Sequence, residues 1–81
     1  MPMTMVVLCN RTSHSMCFHL EPECTPFKLE SGRTLEISGT YDVEPISIQY
    51  SDDAECGIFG SIFPGDGSVS LIVDGHNAIP E

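Results

Sequence analysis

Tryptophan is absent from this 81-residue chain, and basic side chains are nearly so. Lys28, Arg11 and Arg33 stand against twelve Asp and Glu, a formal net charge of −9. Binding a nucleic-acid backbone requires Lys or Arg to displace the counterions of the phosphates, and three cations cannot do this against such an excess of carboxylates. The same charge disfavours anionic membranes. No stretch approaches the ~18 apolar residues that a membrane-spanning helix needs. The opening "MPMTMVVLCN" has no basic residue and only a short apolar run, so a secretory leader is not expected. The expectation is a cytoplasmic protein with reduced thiols. On that view the glycosylation sequon Asn10-Arg11-Thr12 is a coincidence of sequence.

Length sets a further limit. A chain this short forms one domain, residues 1–81, and buries roughly 60–65% of the surface its unfolded form exposes. The apolar fraction is 41%, with four Phe and two Tyr as its aromatics. That suffices for a thin core and leaves little for a deep catalytic cleft.

What the chain does have is alternation. Met16, Phe18 and Leu20 interleave with Cys17, His19 and Glu21. Thr34–Ser38 and Ile46–Tyr50 repeat the pattern, and Ser68–Val73 follows it with one break at Ile72. Period two is the mark of a strand with one buried face. Phe27-Lys28-Leu29, Val6-Val7-Leu8 and Gly57–Phe63 supply shorter or weaker instances. Between them lie "NRTSHS", "EPECTP", "ESGR", "DVEP", "SDDAE" and "PGDGS", turn chemistry recurring about every 8–12 residues. No window has a 3.6-residue period with caps.

The expected fold is therefore all-β: a small antiparallel β-sandwich of about seven short strands, with the general architecture of immunoglobulin and cupredoxin domains. The inward set would be Val6, Leu8, Phe18, Leu20, Phe27, Leu29, Leu35, Ile37, Ile46, Ile48, Tyr50, Phe59, Val69, Leu71 and Val73. So thin a sandwich leaves strand edges open, and an open edge is a site for pairing with another chain.

The densest chemistry is in "SMCFHLEPEC", Ser15–Cys24. Alternation puts Cys17 and His19 on one face, opposite Phe18. If "NRTSHS" closes a hairpin, Cys9 lies across from Cys17, and Cys24 follows just past Pro22. Cys9, Cys17, His19 and Cys24 are then candidate ligands for zinc or copper, although the six residues between Cys17 and Cys24 do not match the usual C-x2-4-C knuckle. A Cys9–Cys17 disulfide is the second possibility and needs an oxidising compartment. The third, favoured by a reducing one, is that the cysteines are unpaired small apolar side chains.

Catalysis lacks a constellation. A Cys17 nucleophile would have only His19 and His14 nearby, with no orienting group. Neither an enzyme nor a bound cofactor is expected. Asp52, Asp53 and Glu55 crowd "YSDDAEC", but Gly57 comes too late for a calcium loop, so this reads as a solvated acidic loop. With Tyr41, Tyr50 and Phe63 as aromatic anchors, these residues make a candidate interaction surface.

The stretch Cys9–Ile37, "CNRTSHSMCFHLEPECTPFKLESGRTLEI", with "ISIQYSDDAECGIFG" and "VSLIVDG" after it, resembles small uncharacterised bacterial β-sandwich proteins over residues 8–75. The shared style is an Asn-initiated turn, a strand ending Leu-Glu-Pro, and a Leu-x-x-Gly-x-x-Leu turn and strand. The resemblance implies a bacterial, isolated β-sandwich domain and carries no site residues. Function is thus expected to be non-catalytic protein–protein interaction, with a protein partner or self-association through a strand edge. The alternatives are metal binding by the Cys/His group, and a phage-type inhibitor that imitates nucleic-acid charge.

Overall fold

A computed structural model describes residues 3–78, and every regular element within them is a strand. The eight strands are β1 (Met3–Cys9), β2 (Met16–Leu20), β3 (Thr25–Leu29), β4 (Thr34–Thr40), β5 (Ser47–Asp53), β6 (Gly57–Phe63), β7 (Ser70–Val73) and β8 (His76–Asn77). They form two four-stranded sheets, ordered β1-β4-β7-β8 and β3-β2-β6-β5. The sandwich expected from alternation is present, with one strand more than the seven expected. The extra strand is the two-residue β8. Asp74 and Gly75 before it both have positive φ, 48° and 87°, the backbone a tight Asp-Gly hairpin turn requires.

The inner faces meet in a core of Phe18, Leu29, Leu35, Ile37, Ile62 and Leu71, with Val6, Leu8, Met16, Leu20, Phe27, Ile46, Ile48, Val69 and Val73 packed around it. Phe18 stacks on Phe27 with ring centroids 5.3 Å apart. Gly60, which sits beside Phe18 on β6, has a reason to be glycine: a Cβ there would lie 2.9 Å from the Phe18 ring. Two inward assignments fail. Phe59 lies on the opposite face of β6 from buried Gly60 and Ile62, so Ile62 takes its place in the core. Tyr50 pairs with Gly60 at the rim and remains 54% exposed.

Two topological expectations are also corrected. β1 and β2 do not form a hairpin: β1 pairs with β4, whereas β2 pairs with β3 and β6. The sandwich is also not wholly antiparallel, because β2 and β6 run parallel.

The crossing from β1 to β2 is organised by Asn10, a fully buried polar residue. Its amide nitrogen donates to the carbonyls of His14 and Leu29, each at 2.8 Å. Its side-chain oxygen accepts from the Thr12 N–H and Thr12 hydroxyl. Its backbone binds Arg33 and Gly32, on the far side of β3. A buried amide saturated in this way is paired rather than stranded, and it cannot serve as a glycosylation acceptor.

Asp66 does a similar job at the other end. Its carboxylate accepts backbone N–H bonds from Asp42, Val43 and Glu44, and these hold its acid strength above the ordinary level by stabilising the charged form. The "PGDGS" turn is therefore a clamp on the β4–β5 connection.

Two outcomes follow. Asn10→Ala strands buried carbonyls and should lower unfolding free energy by about 3 kcal/mol in denaturant titration. Asp66 has a folded pKa below its ordinary value of 3.8, so its contribution is present above that pH and is lost as pH falls through the folded value. Thermal melts of Asp66→Asn and the unaltered protein should differ most near neutrality and converge in strong acid.

Candidate functional site

The chemistry-bearing side chains collect on the outer face of the β3-β2-β6-β5 sheet. Alternation turns Cys17 and His19 outward while Phe18 is buried, as the pattern requires. Register puts Lys28 and Phe59 on either side of Cys17, and Pro26 and Ser61 on either side of His19. The His19 ring lies against Phe59, with centroids 5.0 Å apart.

Cys17 is joined to Cys56 in a disulfide, with Cα atoms 6.1 Å apart. Cys56 stands in the β5–β6 turn, which parallel pairing of β2 with β6 brings beside Cys17. Neither the Cys9–Cys17 bridge nor the fully unpaired reading survives this geometry. Cys9 lies in the other sheet, opposite Thr34, exposed and free. Cys24 is also exposed and free. The four-ligand set Cys9, Cys17, His19 and Cys24 is thus not assembled, because one member is oxidised and another is in the opposite sheet.

What the β2–β3 turn does assemble is His19, Glu21 and Cys24, whose donor atoms all lie within 4.8 Å of one another. The Cys24 thiol donates to both Glu21 carboxylate oxygens, at 3.3 and 3.4 Å. That bond, with the carboxylate's charge beside it, pushes the thiol pKa up. Glu21 was not identified from the sequence. Its signal was present, since it shares the odd-numbered face with Cys17 and His19.

The acidic segment divides by role. β5 runs through Asp53, so "YSDDAEC" is half strand rather than wholly loop. Asp53 caps the turn, accepting from the Cys56 and Glu55 N–H groups at 2.8 Å each, and these bonds hold its pKa down. Asp52 and Glu55 are exposed. The aromatic anchors do not converge: Tyr50 and Phe63 belong to opposite faces of their sheet by register, and half-buried Tyr41 lies just beyond β4. Tyr50 instead joins Met16 and Ile58 around an apolar hollow of about 550 Å³. A second hollow of about 390 Å³ lies over the disulfide between His19, Lys28 and Asp53.

On the other sheet, β1 presents a different surface. Met3, Met5, Val7 and Cys9 form its exposed row, with the first three 70%, 65% and 57% exposed. Thr4, Val6 and Leu8 face inward. β1 is an edge, with β4 on one side only.

Fold and site together define a small disulfide-linked β-sandwich with an open strand edge. Among the described residues, no helix is long and apolar enough to cross a membrane. Comparison with protein-family models, with curated proteins and with solved structures finds no match to the chain.

The disulfide spans 39 residues of sequence, and a covalent loop of that length removes about 4 kcal/mol of denatured-state entropy on the chain-closure model. Cys17→Ser should therefore shift the denaturant midpoint sharply down. Reductant should lower the midpoint of the unaltered protein and leave that of the variant unchanged.

Proposed function

We propose that this domain works by binding rather than catalysis, and that its contact is main-chain pairing along β1 with a second copy of the same chain. The observation that carries this reading is how the four sheet edges differ. β3 carries Pro26 and Lys28, β5 ends in Asp52 and Asp53, and β8 is two residues long. Proline, charge and shortness are the devices by which edges resist pairing. β1 has seven residues, Met3–Cys9, with no charge and no proline.

A second β1 is a fitting occupant. Antiparallel pairing centred on Val6 sets Met5 opposite Val7, Met3 opposite Cys9 and Thr4 opposite Leu8, so exposed residues meet exposed and inward residues meet inward. The contact is isologous, as most soluble dimers are. Main-chain bonds would supply affinity and the alternate side chains the register. Two copies at −9 repel, and β1 is a strip along which they approach without opposing carboxylates. Nucleic acid and membranes have no place in this reading, for the same reason of charge.

The Cys17–Cys56 disulfide bears on location. A reducing cytoplasm would hold the pair as thiols, so the disulfide supports an oxidising compartment over the cytoplasmic expectation. The turn and strand pattern over residues 8–75 favours kinship with small bacterial β-sandwich proteins.

Sedimentation velocity tests the contact. The protein should dimerise with rising concentration, and more readily at high salt, where like-charge repulsion is screened. Val7→Lys should weaken association by at least about tenfold by placing charge on the edge. A protein that stays monomeric at every concentration and salt would overturn the reading.

A further inference from the structure

We propose that His19, Glu21 and Cys24 form a zinc-binding site at the β2–β3 turn. This inference is independent of the β1 contact, which lies on the other sheet.

The turn builds the site by register. His19 projects from the outer face of β2, and Glu21 is the first residue of the turn just past its end, where the donor atoms of the two side chains lie within 4.8 Å of one another. The β2–β3 ladder ends at Leu20 opposite Thr25, and continuing it by one step places Glu21 opposite Cys24. One imidazole, one carboxylate and one thiol therefore converge from six residues of chain. In a tetrahedral site with zinc–ligand bonds of 2.0–2.3 Å, donor atoms sit about 3.6 Å apart. The Cys24 sulfur and Glu21 oxygens are already at 3.3 and 3.4 Å, and the whole group falls within 4.8 Å. Closing on a metal needs the imidazole to move by about an ångström.

The donor set selects the metal class. Mixed nitrogen, sulfur and oxygen ligands suit zinc and its neighbours, whereas calcium and magnesium take oxygen alone. A thiolate and a carboxylate with a neutral imidazole sum to −2, which a divalent cation cancels. The supports are partly in place. The Glu21 N–H donates to the Ile62 carbonyl at 2.9 Å, fixing the start of the turn, and the Phe59 ring steadies His19. Three protein ligands on an exposed turn leave the fourth position to water, an arrangement open to exchange or to a ligand from a partner.

Cobalt(II) provides the test, because its thiolate complexes absorb by charge transfer. Tag-free protein with the Cys17–Cys56 bond intact should take up one cobalt per chain with a thiolate band, and zinc should displace it. Cys24→Ser should abolish the band, His19→Gln should weaken binding by at least about tenfold, and Cys9→Ser should change nothing. Cys24 is exposed, so its variant keeps the fold and reads the site even where His19→Gln perturbs it. The site is overturned by the absence of a band at excess cobalt. It is equally overturned by a band lost in Cys9→Ser instead of Cys24→Ser, or by zinc affinity unchanged in both Cys24→Ser and His19→Gln.

Discussion

The side chain of Asn10 is the constraint on which this sandwich turns. The chain leaves one sheet at Cys9 and enters the other at Met16, and the corner between them is closed by one buried amide. That amide reaches the loop it starts, through His14 and Thr12, and the end of β3, through Leu29. Among the described residues six apolar side chains are buried, with half-buried ones packed around them, a thin core in keeping with so short a chain. A saturated polar group at the crossover fixes the relation of the two sheets at a place where slippage would leave donors and acceptors unmet.

Once β2 is delivered to the second sheet, the rest of that face follows. It becomes a central strand, flanked by β3 in antiparallel and β6 in parallel, and its outward residues acquire neighbours from both sides. Cys17 gains Cys56 from the β5–β6 turn and His19 gains Phe59, while in the turn just past the strand Glu21 meets Cys24. The five-residue strand thus carries the core on one side and the disulfide and His19 on the other, and the turn at its end adds Glu21 and Cys24. The β1 edge belongs to the opposite sheet and shares none of these groups. A contact made there leaves the β2 face free.

The parts of this arrangement that depend on local periodicity were legible in the sequence. Alternation around Phe18, Ile37, Ile48 and Leu71 identified strands and their inward faces, because one buried face imposes period two wherever it occurs. It failed at Phe59, where glycines at positions 57 and 60 blur the phase of the strand, and at Tyr50, whose phase is inward but whose ring lines an open hollow and stays exposed. The cysteine pairing was not legible. Cys17 meets Cys56 only because β2 and β6 lie side by side in parallel, and no local pattern records which strands adjoin. The first hairpin was misread for the same reason: "NRTSHS" has the composition of a turn, and Asn10 uses those residues to change sheets. The His19 and Cys24 half of the candidate metal group was legible, while Glu21 was passed over as the polar end of a strand.

The covalent ring between Cys17 and Cys56 encloses Lys28 and Arg33 and leaves Arg11 outside it. A protease that cuts after basic residues therefore has two targets in the closed part of the chain. Scission at either one opens the backbone without releasing a fragment, and the two pieces travel together until the bond is reduced. Cleavage after Arg11, by contrast, leaves the β1 segment without a covalent tie to the rest, whether or not the ring is closed, and held only by its pairing with β4.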